Sequence, residues 1–278
     1  MQQDYIHYWQ HPSIAEMAVS RARFQHFTFE KHVHLDYHVG LISQGSQRYS
    51  HKGQQYHVGN TVLSTLNPDE VHDGTSHQEE GYTANVMSIP IHYFHHITQE
   101  LKHTSCYFQH AILPCSQLCQ AFLQLHHLLT QQDKNNIDSQ LIKETTTMAF
   151  TTELILRHCK GSLADPKHSF SLSHQQLKNI KSLFHSQLTH AFKLEELATQ
   201  TGLSQFQFLR QFKKATGITP HAYLKCLRLE YAKKALLKGD KSTSIAHNMG
   251  FFDQSHFNKT FKAAYLMTPS HFQRQITA

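Results

Sequence analysis

LEELATQTGLSQFQFLRQFKKATGITPHAY (194–223) and SIAHNMGFFDQSHFNKTFKAAYLMTPSHF (244–272) are one motif written twice. Ala198 recurs as Ala246 and Gly202 as Gly250; Phe208, Phe212, Lys213, Ala215 and Pro220 recur as Phe257, Phe261, Lys262, Ala264 and Pro269. The second copy has a turn one residue longer, since its offset grows by one after the glycine. An internal repeat decides an architecture before any local reading does. In each copy a short helix ends at glycine, which takes a positive φ without strain. A second helix follows, with N-cap candidates Ser204 and Asp253. The alanine lets the two helices cross closely. The phenylalanines, four residues apart, pin the second helix to a core. This is a helix-turn-helix, whose second helix can enter a major groove.

The face away from those phenylalanines is expected to meet DNA. The first copy offers Gln205, Phe206, Leu209 and Arg210, and the second Gln254, Ser255, Asn258 and Lys259. Arginine and lysine read guanine, glutamine and asparagine read adenine, and apolar side chains touch the thymine methyl. Gln207 and His256 flank this face, and Lys213 and Lys262 suit phosphates, which position without specifying. Thr219-Pro220 and Thr268-Pro269 are helix starts. A helix from Pro220 to about Lys238, roughly 28 Å long at ~1.5 Å per residue, joins the copies. Successive major grooves on one DNA face lie about 34 Å apart, so one chain can place two unequal reading heads in adjacent grooves. The full helical set is 177–189, 194–201, 204–216, 220–238, 243–249, 254–264 and 269–275.

Charge agrees with this division. Residues 174–278 carry 15 Lys+Arg against 5 Asp+Glu, whereas residues 1–173 carry 11 against 15. A basic part on a mildly acidic one points to a polyanion partner for the basic part. The 278 residues are ample for two cores. No apolar run of 18 residues is present and the N-terminus does not read as a secretion signal, so a cytoplasmic protein with no membrane partner is expected. Five unpaired-looking cysteines fit a reduced compartment, and Cys115 and Cys119 read as core residues. The 26 histidines leave room for a response to pH or metal.

Upstream, VGLISQ, QRYSH, QQYHV, TVLSTL and YTANVMSI (82–89) are short strands punctuated by Gly45, Lys52-Gly53, Gly59-Asn60 and Asn67-Pro68. They suggest a small sandwich or barrel. Phe24, Phe27 and Phe29 mark an entry strand. From Ser116 to Cys159 the rhythm becomes helical with a polar break at 133–138: a helical hairpin that covers the barrel or forms a dimer face. The polar run 161–176 reads as a linker, dividing the chain into 1–160, 161–176 and 177–278.

LATQTGLS, Arg210 with Phe212-Lys213, CLRLEYAKKALL, IAHNMGFFDQSHFNKTFK and MTPSHF resemble the DNA-binding domain of the AraC/XylS family of bacterial transcription regulators. The resemblance covers about residues 177–275. It implies a seven-helix, two-headed reader of double-stranded promoter DNA, usually an activator, that works with RNA polymerase, here as a homodimer. Leu266 stands where the family usually has Gly, and Phe272 where it usually has Tyr. HVHLDYHVGLISQG and HVGNTVLSTLNPDEVHDG resemble the family's cupin-like sensor, implying an α+β chain: a cupin-like β-barrel or jelly roll with its hairpin, then the all-α domain.

His32, His34, Asp36 and His38 alternate, so on one strand they would project to one side; His72 follows on a later segment. These five are the expected effector-binding residues of a barrel-mouth pocket for a small molecule. Metal-binding cupins use an HxH pair, an acidic residue and a later His. His32, His34 and His72 match, and His38 takes the acidic residue's place. A metal site at His32, His34, His38 and His72 is the alternative, as a metal or pH sensor or a metal-dependent enzyme. A constitutive architectural DNA-binding protein is a third class. No Ser/His/Asp set, phosphate loop or paired-carboxylate motif supports catalysis, so a regulator without cofactor or enzymatic activity is the expectation.

Overall fold

The computed structural model describes residues 4–103, 106–131, 137–159 and 172–277. The first half is two facing antiparallel sheets. Strands β1 (Tyr5–Gln10), β2 (Ala18–Phe24), β4 (Tyr37–Gln44), β7 (Leu63–Leu66), β9 (Tyr82–Ile89) and β10 (Ile112–Leu113) form one, in the order β1-β2-β9-β4-β7-β10. Strands β3 (Phe29–His32), β5 (Gln47–His51), β6 (Gln54–Val58) and β8 (His72–Ser76) form the other, ordered β3-β8-β5-β6. The result is a jelly-roll-like sandwich with two separate sheets rather than one closed barrel.

The two faces of the larger sheet differ in residue size. Val19, Val39, Leu63 and Met87 point outward and pack with α1 (Ile91–Glu100), α2 (Ser116–Thr130) and α3 (Ile137–His158). Ala18, Ser20, Ala22, Gly40, Ala84 and Ser88 point inward. Their registers, Ala22 opposite Ala84 and Ala18 opposite Ser88, put small residues side by side. Period-two alternation therefore places bulk against the helices and leaves space between the sheets.

The expected helical hairpin is α2 and α3. Leu118, Phe122, Leu125 and Leu129 bury one side of α2. On α3, Ile155 is buried, while Leu141, Ile142, Met148 and Leu156 are at least half exposed. Strand β1 and helix α1 escape a sequence reading: β1 is an edge strand with one buried residue, Ile6, and α1 starts after Pro90 with no side-chain cap. Among the described residues no helix is long and apolar enough to cross a membrane.

The second half has seven described helices: α4 (His174–Ser186), α5 (Leu194–Thr199), α6 (Gln205–Thr216), α7 (Pro220–Leu237), α8 (Ser242–Asn248), α9 (Gln254–Tyr265) and α10 (Pro269–Thr277). Only α4 departs clearly from expectation, starting at His174 inside the stretch read as linker. Ser173 and Gln176 form a reciprocal capping box there, an S-x-x-Q signature that nucleates the helix three residues early. Residues 161–171 of that stretch lie outside the described residues.

The repeated caps appear as read. Ser204 caps α6 in a capping box with Gln207, Asp253 accepts from the His256 N–H at 2.6 Å, and Thr219 accepts from the Ala222 N–H. Leu266, in the family's glycine position, adopts φ 60°, and its N–H closes on the Lys262 carbonyl. The chain keeps the left-handed cap at the cost of a Cβ in that region, about 1–2 kcal/mol. Phe272 is fully buried, its ring 4.9 Å from Tyr8 of β1 and 5.8 Å from Phe261. A ring without a hydroxyl suits that apolar contact between the halves.

The turn glycines have φ +68° (Gly202) and +73° (Gly250) but different surroundings. A Cβ on Gly202 meets nothing within 4 Å; on Gly250 it falls 2.9 Å from the Leu188 carbonyl oxygen and the Thr189 Cα. Gly202→Ala should therefore cost roughly 1 kcal/mol of folding stability, from backbone strain alone. Gly250→Ala should cost about 2–4 kcal/mol, because backbone must also move. Urea unfolding of the two variants measures this; equal losses would show that the second turn is not held by that close approach.

Candidate DNA-reading face and interdomain cavity

At about 100° per residue, Arg210 lies roughly 160° around α6 from Phe208 and Phe212, and Lys259 bears the same relation to Phe257 and Phe261 in α9. All four phenylalanines are fully buried, and Arg210 and Lys259 are exposed. The repeat thus puts a cation at the crest of each second helix. Leu209 and Asn258 stand on the flank and are half-buried. Ser255, Lys213 and Lys262 are exposed on that same side.

Gln205 and Gln254 are exposed in the first turn, but on the phenylalanine side rather than opposite it. The Gln207 side chain accepts from the Ser204 N–H at 3.1 Å, so its oxygen serves the cap. The side chain of Phe206 lies outside the described residues. Two exposed residues were not anticipated: Lys214, on the crest beside Arg210, and Phe252, 91% exposed in the turn before α9. Period arithmetic from the phenylalanines finds Lys214; Phe252 carries no such signal.

Helix α9 has a second exposed flank. His256, Lys259, Thr260 and Ala263 line a cavity of about 810 Å³ that opens between the two halves of the chain. Its floor is the small-residue face of the larger sheet, with Phe24, Phe29 and Ile42 as apolar walls. Its roof is α7, through Lys225, Leu229, Glu230 and Lys233, and then α9. All five expected effector residues, His32, His34, Asp36, His38 and His72, line this one cavity.

They do not share a strand. Strand β3 ends at His32 and β4 begins at Tyr37. The intervening corner alternates: Val33 and Leu35 are buried among Phe184, Phe208 and Phe212 of the second half, while His34 and Asp36 face the cavity. That corner is where the sensor enters the first helix-turn-helix core.

Glu230 of α7 answers it. This residue is 3% exposed. Its carboxylate accepts from His34 Nδ1 (3.2 Å), the Tyr265 hydroxyl (2.8 Å) and Lys233 Nζ (3.3 Å). Burial opposes ionisation, but Lys233 and the hydrogen bond from His34 outweigh it and hold the carboxyl well below the usual range. Around it, Lys234 reaches Asp36 at 2.7 Å and Lys238 reaches Glu16 at 2.9 Å. Lys181 reaches Asp69 at 2.5 Å, and Asp69 also accepts from the Tyr223 hydroxyl. Burial raises the Asp36 carboxyl, with Lys234 opposing. Burial also lowers the imidazoles, His32 to about 3 and His38 and His72 well below the usual value, so these rings are neutral. Lys31 of β3 and Lys225 of α7 stand at the cavity from opposite halves, exposed and in no ion pair with described residues.

The comparisons with known proteins fit both halves. A family described as "AraC-like ligand binding domain" matches residues 15–150, and one described as "Helix-turn-helix domain" matches 197–275. The chain is 25% identical over 237 residues to an uncharacterized HTH-type transcriptional regulator of Bacillus subtilis, YbfI, covering 82% of this chain and 81% of that one. It is 24% identical over 253 residues to the HTH-type transcriptional activator RhaS of Klebsiella pneumoniae, covering 89% and 88%. Among solved structures it shares the fold of Vibrio cholerae ToxT with an unsaturated fatty acid bound, at TM-score 0.54 and 16% identity, covering 100% and 98%.

Arg210→Ala should cost about 1–3 kcal/mol of discrimination at one base position. Lys213→Ala should weaken cognate and scrambled DNA alike and reduce the salt slope by about one. Titrations at several salt concentrations measure both; an Arg210→Ala variant with unchanged preference would remove Arg210 from the reading face.

Proposed function

Because the chain belongs to the AraC/XylS family of DNA-binding transcription regulators, we propose that it is an effector-responsive activator whose effector is a carboxylic acid with an apolar body, held in the interdomain cavity. One observation carries this reading: the cavity has apolar sensor walls and a roof made of α7 and the reading helix α9. A ligand there touches both halves at once. Lys31 and Lys225, placed on either side, suit a carboxylate. ToxT, which shares the fold, is known with an unsaturated fatty acid bound.

The effector shifts the protein only by binding one arrangement of the halves better than another. With the carboxylate between Lys31 and Lys225 and the apolar body on the small-residue face, the closed seam is favoured. The linking helix is then held on the sensor, and α9 keeps its His256 flank against the cavity. Release of the seam frees α7, about 27 Å long at ~1.5 Å per residue, to set α6 and α9 into adjacent grooves. The outward Leu141, Met148 and Leu156 of α3 supply an apolar face for a second copy, and the dimer recruits RNA polymerase at a promoter. The role is regulatory rather than enzymatic, and it is exercised in the cytoplasm.

The test uses the full chain with oleate as probe and DNA from upstream of its own gene. Oleate should raise the melting temperature and weaken DNA binding. Ala84→Leu, which fills the cavity floor, should bind DNA as before and lose the oleate shift; Lys31→Ala with Lys225→Ala should weaken oleate at least tenfold. A melting temperature indifferent to oleate, or a shift that survives Ala84→Leu, would sink the assignment.

A further inference from the structure

We infer that His32, His34 and His72 form a binding site for a first-row divalent transition ion, zinc foremost, and that Glu230 carries occupancy of this site to the DNA-binding half. One ring nitrogen of each histidine lies within 4.8 Å of the other two. The backbone fixes two of them, because His32 and His72 are direct partners in the β3–β8 register. The third, His34, stands at the corner two residues on.

The hydrogen bonds select the ligand atoms. His32 Nδ1 is 2.7 Å from the Glu30 carbonyl oxygen, and His72 Nδ1 is 3.1 Å from that of Glu70. His34 Nδ1 is 3.2 Å from the Glu230 carboxylate. A carbonyl or carboxylate accepts, so each Nδ1 carries a proton, and Nε2 is the atom left for an ion. Three imidazoles, each with its Nδ1 held against an oxygen, are the arrangement that orients histidine toward a metal. Ligands about 2.0–2.1 Å from a tetrahedral ion stand roughly 3.4 Å apart, a spacing that side-chain rotation reaches from the present one.

An independent observation marks the same spot. His38 stacks on His34 with ring centres 3.8 Å apart, and its buried Nε2 has no hydrogen-bond partner among the described residues. A buried polar atom without a partner calls for a missing water or ligand. An ion on three histidines leaves a fourth position facing the cavity, where bound water can meet it. Imidazole nitrogen is the donor that zinc, copper, nickel and iron accept.

The link to the DNA-binding half is the His34–Glu230 bond. A metal on His34 Nε2 makes the Nδ1 proton a stronger donor to a carboxylate that sits on α7 between the two reading heads. Occupancy therefore tightens the seam at its buried centre. The site goes beyond the effector reading and stands whether or not a carboxylic acid binds.

The experiment strips the full chain with a chelator and titrates it with cobalt(II), following visible d–d absorption, then displaces cobalt with zinc. Wild type should take one ion per chain with the intense absorption of a four-coordinate site. His32→Gln and His72→Asn should each lose that signal. Glu230→Gln should keep it with affinity weakened about 10–100-fold. His57 and His77 form a separate pair, rings 4.7 Å apart, and His77→Gln should leave the titration unchanged. Apo melting temperatures establish which variants are folded, and either of the two ligand variants suffices to decide. Absence of the cobalt signal in wild type, its persistence in a folded His32→Gln or His72→Asn, or equal loss in His77→Gln would overturn the site and leave adventitious histidine binding only.

Discussion

A buried carboxylate on the helix between two reading heads is the constraint the molecule is built around. Glu230 cannot be left uncompensated: breaking a buried ionic pair by removing one partner costs about 3–5 kcal/mol. Its partners come from three places: His34 from the sensor corner, Lys233 from its own helix and Tyr265 from the end of α9. Meeting that demand fixes α7 and α9 over the open end of the sandwich, which turns the space between two sheets into a roofed cavity. The surrounding pairs at Asp69 and Glu16 are partly exposed and individually weaker, while Asp36 is buried against Lys234. They set register around the buried centre rather than supply most of its strength.

The cores show the same dependence. Val33 and Leu35 of the sensor lie within the cluster that holds Phe208 and Phe212, and Ile6, Ala22 and Tyr49 lie within the one that holds Phe257 and Phe261. Each helix-turn-helix thus shares apolar surface with the sensor. A regulator joined in this way transmits a change in the sensor as a change in the position of a whole head, since packed interfaces shift between discrete arrangements. The two heads also differ in what they have free. Of the two reading helices, among the described residues, only α9 presents a flank to the cavity, so the second head is the one an effector held there would touch directly.

Much of this was legible in the sequence, for reasons that are local. Turn glycines, caps at Ser204, Asp253 and Thr219, and phenylalanines four apart all act within a few residues of themselves. Strands β4, β5, β6, β7 and β9 follow from alternation and turn residues in the same way; β8, HDGTS, has no apolar residues with which to show such a pattern. What stayed hidden depends on contacts far along the chain. Within CLRLEYAKKALL, Glu230 looks like an exposed helical charge; it is buried because α7 is covered on both sides, by the heads and by the sensor. For the same reason α7 has no clear apolar stripe to read. The histidine run looked like one strand, and its break at Val33–Asp36 arises because Val33 and Leu35 are drawn into a core 150 residues downstream.

Hydrogen–deuterium exchange on the full chain, with and without oleate and with and without promoter DNA, tests the central claim most directly: that the seam through Glu230 joins sensing to DNA reading. Exchange reports local opening. Oleate should slow exchange in residues 31–36 and 225–237 together with 254–265, and DNA should speed exchange in residues 31–36. Protection confined to the sensor strands, with α7 and α9 unchanged by either ligand, would contradict it.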